Sequence, residues 1–170
     1  MKLSGHVPRG NSSRMPFQAK RGIAGRLRKC PGNIMTVPKL VGGIEVRLRP
    51  HHYLCIQFFT GHGYDETFTA HMEAVISELK DDSGIIVTEG CDEICSQCPN
   101  MTDGRCDDYD RVLYLDAQVM DQTGMDYGKE LRWKDVASVV YERILKTDMF
   151  ETICSECRWY ELCRDMRERR

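Results

Sequence analysis

The sequence lacks any run of about 18 apolar residues, which is the length that a membrane-spanning helix needs. Its longest apolar stretch covers only residues 53–60. No glycine-rich phosphate-binding loop and no serine–histidine–aspartate set is visible, so neither of those chemistries is indicated. Residues 1–38 contain no acidic side chain and no apolar core of the kind found in signal peptides. We therefore expect a cytoplasmic protein that does not contact a membrane.

Charge is distributed unevenly along the chain. The protein has 24 Lys/Arg and 26 Asp/Glu residues, and eight of the basic residues fall within residues 1–38. The remainder therefore holds 16 basic and 26 acidic residues and is clearly acidic. A nucleic-acid-binding domain normally shows the opposite balance, with basic residues clustered on one face. Nucleic acid is thus not an expected partner of the main domain.

Residues 1–38 are rich in Arg, Gly, Ser and Pro and show almost no apolar periodicity. We expect a disordered basic tail there and a single cysteine-rich, metal-binding domain over residues 39–170. The tail could be a nucleic-acid-binding arm or a transit-type peptide. It could also result from the choice of start site, because a more ordinary sequence begins at Met35, and we favour this last explanation.

Apolar periodicity predicts an α+β fold that is mostly α-helical, with about five helices and two short strands. Ile44, Val46 and Leu48 alternate with charged residues, as in a half-buried strand, and residues 85–88 form a short apolar run. Helices are predicted over residues 51–59, from an N-cap at Asp65 to Leu79, from Asp107 or Asp108 to Gly124, from Trp133 to Ile144, and from Thr147 onward. One apolar stripe is expected on the second of these helices, formed by Phe68, Met72, Val75, Ile76 and Leu79, and another on the fourth, formed by Trp133, Val136, Val140 and Ile144. On the third helix one side is expected to carry Tyr109, Val112, Leu113, Asp116 and Met120, and Leu115 and Val119 form a second apolar strip, so we expect burial on two faces. Cysteine-bearing loops should then converge on a metal site.

Seven of the nine cysteines fall in two short clusters, each containing a CxxC pair. This spacing allows two thiolates in one turn to reach the same metal. The main candidate ligands form two trios: Cys95, Cys98 and Cys106, and Cys154, Cys157 and Cys163. An odd cysteine count without a secretory signal favours metal ligation over disulfides, although a disulfide-bonded domain is an open alternative.

Cys55 is a further candidate, since His51 and His52 precede it by four and three residues on the predicted helix and can share its face. A histidine there could bind a metal or shuttle protons. Alternatively, both histidines could form only structural hydrogen bonds at the helix N-terminus. Arg47 and Arg49 could hold an anionic substrate or balance the charge of a cluster, although pairing with acids on the strand surface is the commoner role. Cys91 is a possible extra ligand, and Cys30 is excluded with the tail.

These thiolates suit an iron–sulfur cluster, with 4Fe–4S favoured over 2Fe–2S, and the same thiolates suit zinc. We expect electron transfer with a redox partner protein, or cluster-based catalysis on an unidentified substrate. The alternative is a structural zinc-binding interaction module. Whether the thiolates hold one cluster or two is open. A domain of this size can bury about two-thirds of its unfolded surface, so it should fold without a metal.

The order of these motifs resembles a domain-of-unknown-function family of small bacterial and archaeal proteins described as iron–sulfur binding. The resemblance rests on RLRPHHYLC at residues 47–55, GHGY at 61–64, ICSQCP at 94–99, Cys106, CSECRW at 154–159 and Cys163. It covers roughly residues 44–163, and Cys91 is additional to the pattern. The resemblance implies an iron–sulfur cofactor and its ligands, but no particular activity.

Overall fold

The computed structural model describes residues 45–169, so the predicted basic tail and Ile44 lie outside the part of the chain discussed below. The described residues form six α-helices and five short strands, which confirms the mostly helical α+β fold. The helices are α1 (His52–Phe58), α2 (Glu66–Glu78), α3 (Tyr109–Thr123), α4 (Trp133–Val140), α5 (Met149–Cys154) and α6 (Tyr160–Glu168). The strands are β1 (Glu45–Leu48), β2 (Gly84–Val87), β3 (Met101–Thr102), β4 (Arg105–Cys106) and β5 (Glu130–Arg132). No helix within residues 45–169 has both the length and the apolar character needed to cross a membrane.

Three strands form a mixed sheet in the order β1-β2-β5. Strands β1 and β2 are parallel and are connected through α1 and α2, whereas β5 runs antiparallel to β2. Because β1 and β2 are parallel, the segments that follow them leave the sheet at the same edge. The backbone N–H of Thr88 donates to the carbonyl of Leu48 at 2.9 Å, and that of Glu93 donates to Arg47 at 3.2 Å. Residues 49–52 and 88–95 therefore lie side by side.

Helix α2 follows directly from its sequence. The side chain of Asp65 accepts a hydrogen bond from the backbone N–H of Phe68 at 2.8 Å, which satisfies one free donor of the first turn. Phe68, Met72 and Val75 form the predicted apolar stripe and are buried in the core. Both the N-cap and the buried face of α2 are confirmed.

Helix α3 buries one residue from each of its two predicted faces, together with Thr123, which was not predicted. It ends as predicted at Gly124, whose φ of 72° is left-handed and favours glycine. The fully or nearly buried residues are Asp116, Val119 and Thr123. Asp116 belongs to the first predicted side and Val119 to the second predicted strip, whereas the remaining residues of both are only half-buried. A carboxylate with buried partners, and not the most apolar side chains of the first side, faces the core.

The second half of the chain has more elements than predicted. Helix α4 continues into a π-helical turn, Tyr141–Leu145, and this unit buries Val136, Val140 and Ile144 as expected. The single helix predicted from Thr147 is instead the pair α5 and α6. The second CxxC pair closes the turn between them, where the N–H of Cys157 donates to the carbonyl of Cys154 at 2.8 Å.

A small hairpin, β3–β4, follows the first CxxC pair and was not predicted. Its two turn residues, Asp103 and Gly104, have φ values of 50° and 74°. Asp-Gly at two left-handed positions is typical of a two-residue hairpin turn. The hairpin pairs Met101 with Cys106 and so returns the chain toward Cys98.

Candidate metal centre

Seven free cysteines lie within the described residues, and all seven line one cavity of about 170 Å³. They are Cys55, Cys95, Cys98, Cys106, Cys154, Cys157 and Cys163. Both predicted trios therefore face the same interior space, together with Cys55, His51 and His52. Cys91 is buried but is neither a free cysteine nor part of the cavity wall.

Four of the thiols, which we call the four-thiol group, come from α1 and from the segment formed by α5, the following turn and α6. Cys55 lies on α1, Cys154 ends α5, Cys157 lies in the following turn and Cys163 lies on α6. Burial raises the pKa of Cys55 well above its ordinary value, and negative charge on Cys157, Cys154 and Cys163 raises it further. Burial and the neighbouring Cys157 likewise raise the pKa of Cys154 to about 12 and of Cys163 to about 11. Four thiolates can coexist here only if a cation offsets their charge.

The other three thiols, the three-thiol group, lie on the loop that follows β2 and on the hairpin. Cys95 lies in the 3₁₀ turn Ile94–Gln97, Cys98 follows it directly, and Cys106 ends β4. Burial raises the pKa of both Cys98 and Cys106, and this effect is partly opposed by hydrogen bonds to their sulfurs from the backbone N–H groups of Asn100 and Asp108. Hydrogen bonds of this kind stabilise metal-bound thiolates and tune the metal.

A buried ion pair lies behind the three-thiol group. Arg49 follows β1 and is only 1% exposed. Its Nε and one terminal nitrogen donate to Oδ2 of Asp116 on α3 at 2.8 and 2.6 Å. Arg47 is exposed, as expected for a strand-surface residue. Arg49 instead places a positive charge near Cys95 and Cys106. Burial raises the pKa of both thiols, and the charge of Arg49 opposes part of this rise.

His51 shares Asp116 with this arginine. Its Nδ1 lies 2.6 Å from Oδ1 of Asp116, and its backbone N–H donates to the same oxygen at 3.0 Å. Burial alone would raise the pKa of Asp116, but His51 and Arg49 stabilise the carboxylate and lower it. Because the carboxylate is ionised, it accepts a hydrogen bond from the Nδ1–H group and so fixes the ring of His51.

His52 forms a second pair of the same type with Asp92. Its Nδ1 lies 2.6 Å from Oδ2 of Asp92, which is completely buried. Asp92 also accepts the backbone N–H of Arg49 at 2.6 Å and that of Cys95 at 3.0 Å. Burial alone would raise the pKa of Asp92, but attraction to His52 and these hydrogen bonds lower it. One carboxylate thus positions both a histidine and a cysteine of the cavity wall.

Neither Asp92 nor Asp116 was predicted to be part of the site. One feature of the sequence could have indicated Asp116: an acidic residue that lies between apolar residues on a helix face needs a buried partner. The histidines were predicted to be either functional or structural. The structure gives each one a carboxylate partner, with the two ring centroids 4.1 Å apart.

Tyr64 lies close to thiols of both groups. It interacts electrostatically with Cys98 of the three-thiol group and with Cys55 and Cys157 of the four-thiol group. The two groups therefore share an aromatic neighbour in the wall of the same cavity.

The loop before α2 holds Tyr64 in place. A Cβ atom on Gly63 would lie 2.3 Å from Oγ1 of Thr69 and 2.9 Å from the ring of Phe68, so this position requires glycine. The Tyr64 ring contacts Phe68 and Trp159 with centroid distances of 5.0 and 5.7 Å. Trp159 also lines the cavity, next to the turn that holds Cys157.

The chain belongs to the family described as Protein of unknown function (DUF1284), whose model matches residues 63–163. This range includes the GHGY loop from Gly63 and six of the seven cavity cysteines, whereas His51, His52 and Cys55 precede it. Neither a curated protein nor a solved structure matches the chain.

Proposed function

We propose that this protein binds iron–sulfur clusters in the thiol-lined cavity and uses them for electron transfer or for cluster-based catalysis. The observation that carries the proposal is the convergence of seven free thiols, from separate segments of the chain, on one interior space. Thiols gathered in this number around a cavity match the ligand chemistry of iron–sulfur proteins.

The spacing of the sulfurs favours a cluster over the alternative of structural zinc. A tetrahedral zinc with Zn–S bonds of about 2.3 Å holds its sulfurs about 3.8 Å apart. Among residues 45–169, no three cysteine sulfurs lie within 4.8 Å of one another. Thiolates that bind a cluster are farther apart, because several irons and sulfides lie between them. The absence of three sulfurs at the spacing of a tetrahedral zinc, within residues 45–169, therefore supports a polynuclear cofactor.

The two thiol groups support different roles for two clusters. Cys55, Cys154, Cys157 and Cys163 supply the four thiolates that a 4Fe–4S cluster requires, as in an electron-transfer centre. Cys95, Cys98 and Cys106 leave one position without a cysteine. A cluster bound there has a position for another ligand, and an iron with an exchangeable ligand can act as a Lewis acid.

The surroundings of the cavity also suit redox chemistry. Its wall includes Leu54, Phe58, Phe68, Phe150 and Ile153, all of them buried. An apolar shell limits the access of water and lowers the local dielectric constant, and both effects help to set the reduction potential of a cluster.

Anaerobic production of the full chain, followed by iron, acid-labile sulfide and zinc analysis, tests the proposal. We expect iron and sulfide in similar amounts and an EPR signal after reduction. Zinc near one equivalent or more, without sulfide, would contradict the proposal and favour the zinc module.

Single substitutions provide the matched control. Cys95→Ser and Cys157→Ser should each lower the iron content, since each removes one thiol of the cavity wall. Cys91→Ser should leave the iron content unchanged, because Cys91 is not part of the wall. Unchanged iron in both Cys95→Ser and Cys157→Ser would show that the ligand assignment is wrong.

A further inference from the structure

We propose that Nε2 of His52 is the fourth protein ligand of the cluster held by Cys95, Cys98 and Cys106. This inference rests on the proposed function and assigns the position that the three-thiol group leaves open. The inference follows from the orientation of the ring, from the closeness of one of its nitrogens to Cys95, and from the hydrogen bonds that the neighbouring groups make.

The ring of His52 is oriented as in metal-binding histidines. Its Nδ1 donates to the buried carboxylate of Asp92 at 2.6 Å. Metal-binding histidines almost always donate the second ring nitrogen to a carboxylate, a carbonyl or water, which fixes the ring and raises its basicity. Nε2 makes no hydrogen bond to any residue in the range 45–169, and the side chain is 12% exposed and lines the cavity. The free nitrogen thus belongs to a ring held in place for binding.

His52 is also close to Cys95, one of the three thiols. A ring nitrogen of His52, a carboxylate oxygen of Asp92 and Sγ of Cys95 all lie within 4.8 Å of one another. Asp92 accepts the backbone N–H of Cys95 at 3.0 Å, so one buried carboxylate sets the position of both ligands. Such shared support is what a preorganised metal site requires.

The neighbouring groups are less suitable as ligands. Both oxygens of Asp92 already accept hydrogen bonds, from His52, Arg49 and Cys95. His51 differs from His52 in one respect: no grouping of His51 with a cysteine and a third ligand occurs within the described part of the chain. His51 has the same exposure and the same type of carboxylate partner as His52. It is therefore a matched control.

Pulsed EPR of the reduced, full-length protein labelled with ¹⁵N-histidine tests the ligand directly. We expect a strong nitrogen hyperfine coupling that changes with the isotope, persists in His51→Gln and is lost in His52→Cys. Because a thiolate replaces a neutral imidazole, His52→Cys should keep its iron and shift the reduction potential of this cluster downward. Circular dichroism verifies that both variants fold. The isotope-dependent nitrogen coupling in the EPR spectrum of the wild-type protein is a test that needs neither variant.

The outcomes separate this inference from the proposed function. Iron and sulfide present without histidine nitrogen coupling would overturn the ligand assignment alone. Coupling that is lost in His51→Gln but kept in His52→Cys would overturn it as well. A protein purified anaerobically without iron and sulfide would overturn the proposed function and this ligand together.

Discussion

Arg49 and Asp116 carry charges that water barely reaches, with side-chain exposures of 1% and 0%. Taking both out of water is costly, and two hydrogen bonds between them offset the cost. Asp116 also positions His51 and Asp92 positions His52. At the scale of single residues, the geometry of the cavity wall therefore depends on two buried carboxylates and one arginine.

Asp116→Asn should destabilise the metal-free protein by about 3–5 kcal/mol, because it leaves the buried charge of Arg49 without a counter-ion. Urea unfolding under reducing conditions measures the loss. Asp135→Asn is the control, since Asp135 pairs with Arg132 on an exposed surface and should change stability by less than about 1 kcal/mol. Equal losses in the two variants would contradict the prediction.

The same carboxylate makes the free energy of unfolding depend on pH. The pKa of Asp116 is lowered in the folded protein, against the opposing effect of burial. As the pH falls below about 4, the ordinary Asp value, the unfolded chain takes up this proton before the folded chain does. The contribution of Asp116 is therefore complete above about pH 4 and is lost toward lower pH. Urea midpoints measured between about pH 5 and 2 should fall less steeply in Asp116→Asn than in the wild type, and parallel curves would refute this.

At the scale of single elements, helix boundaries depend on local hydrogen bonds that differ from helix to helix. Asp65 caps α2 with its side chain, whereas Asp148 occupies the same position before α5 without such a bond. The two aspartates therefore allow a direct comparison of a capping and a non-capping residue.

Asp65→Ala should lower the free energy of unfolding by about 1 kcal/mol, because the N–H of Phe68 loses its partner. Asp148→Ala should cost clearly less. Thermal unfolding of both variants, under identical reducing conditions, provides the comparison. A larger loss for Asp148→Ala would show that the cap is not what stabilises α2.

Local features of the fold were predictable from the sequence. The apolar stripe of α2, its cap at Asp65 and the end of α3 at Gly124 all depend on residues within a few positions of each other. The parallel pairing of β1 with β2 was not predictable, because it depends on docking the whole α1–α2 connection. The β3–β4 hairpin could have been predicted from its Asp103-Gly104 pair. It was not predicted, because this segment was interpreted only through the spacing of its cysteines.

The candidate site was predictable in its chemistry but not in its grouping. Spacing alone suggested two equal trios, with Cys55 as a secondary candidate. Cys55 joins Cys154, Cys157 and Cys163 only because α1 packs near α6. Arg49 and Asp116 are 67 positions apart, so no local pattern could reveal their pairing. Contacts made by tertiary packing have no periodic signature in a single sequence.

At the scale of the whole molecule, the proposal that each thiol group binds its own cluster predicts how iron would be lost on substitution. Cys55→Ser and Cys157→Ser should each remove about the same share of the iron, since both belong to the four-thiol group. The double variant should lose no more than either single variant. Combining Cys55→Ser with Cys98→Ser should remove nearly all of it.

Iron per protein and quantitative EPR spectra measure these losses. Full iron content in Cys55→Ser would remove Cys55 from the four-thiol group. Complete loss of iron in every single variant would indicate one shared cluster instead of two.

The four-thiol group joins α1 to α5 and α6, elements that are far apart in the sequence. A cofactor bound there would act as a cross-link that closes a loop of about 100 residues, for which the chain-entropy estimate is about 4–5 kcal/mol. Oxidative loss of the cofactor would then release the docking of these helices and expose their backbone to proteases. The lifetime of the protein in a cell would in this way follow the supply of its metal.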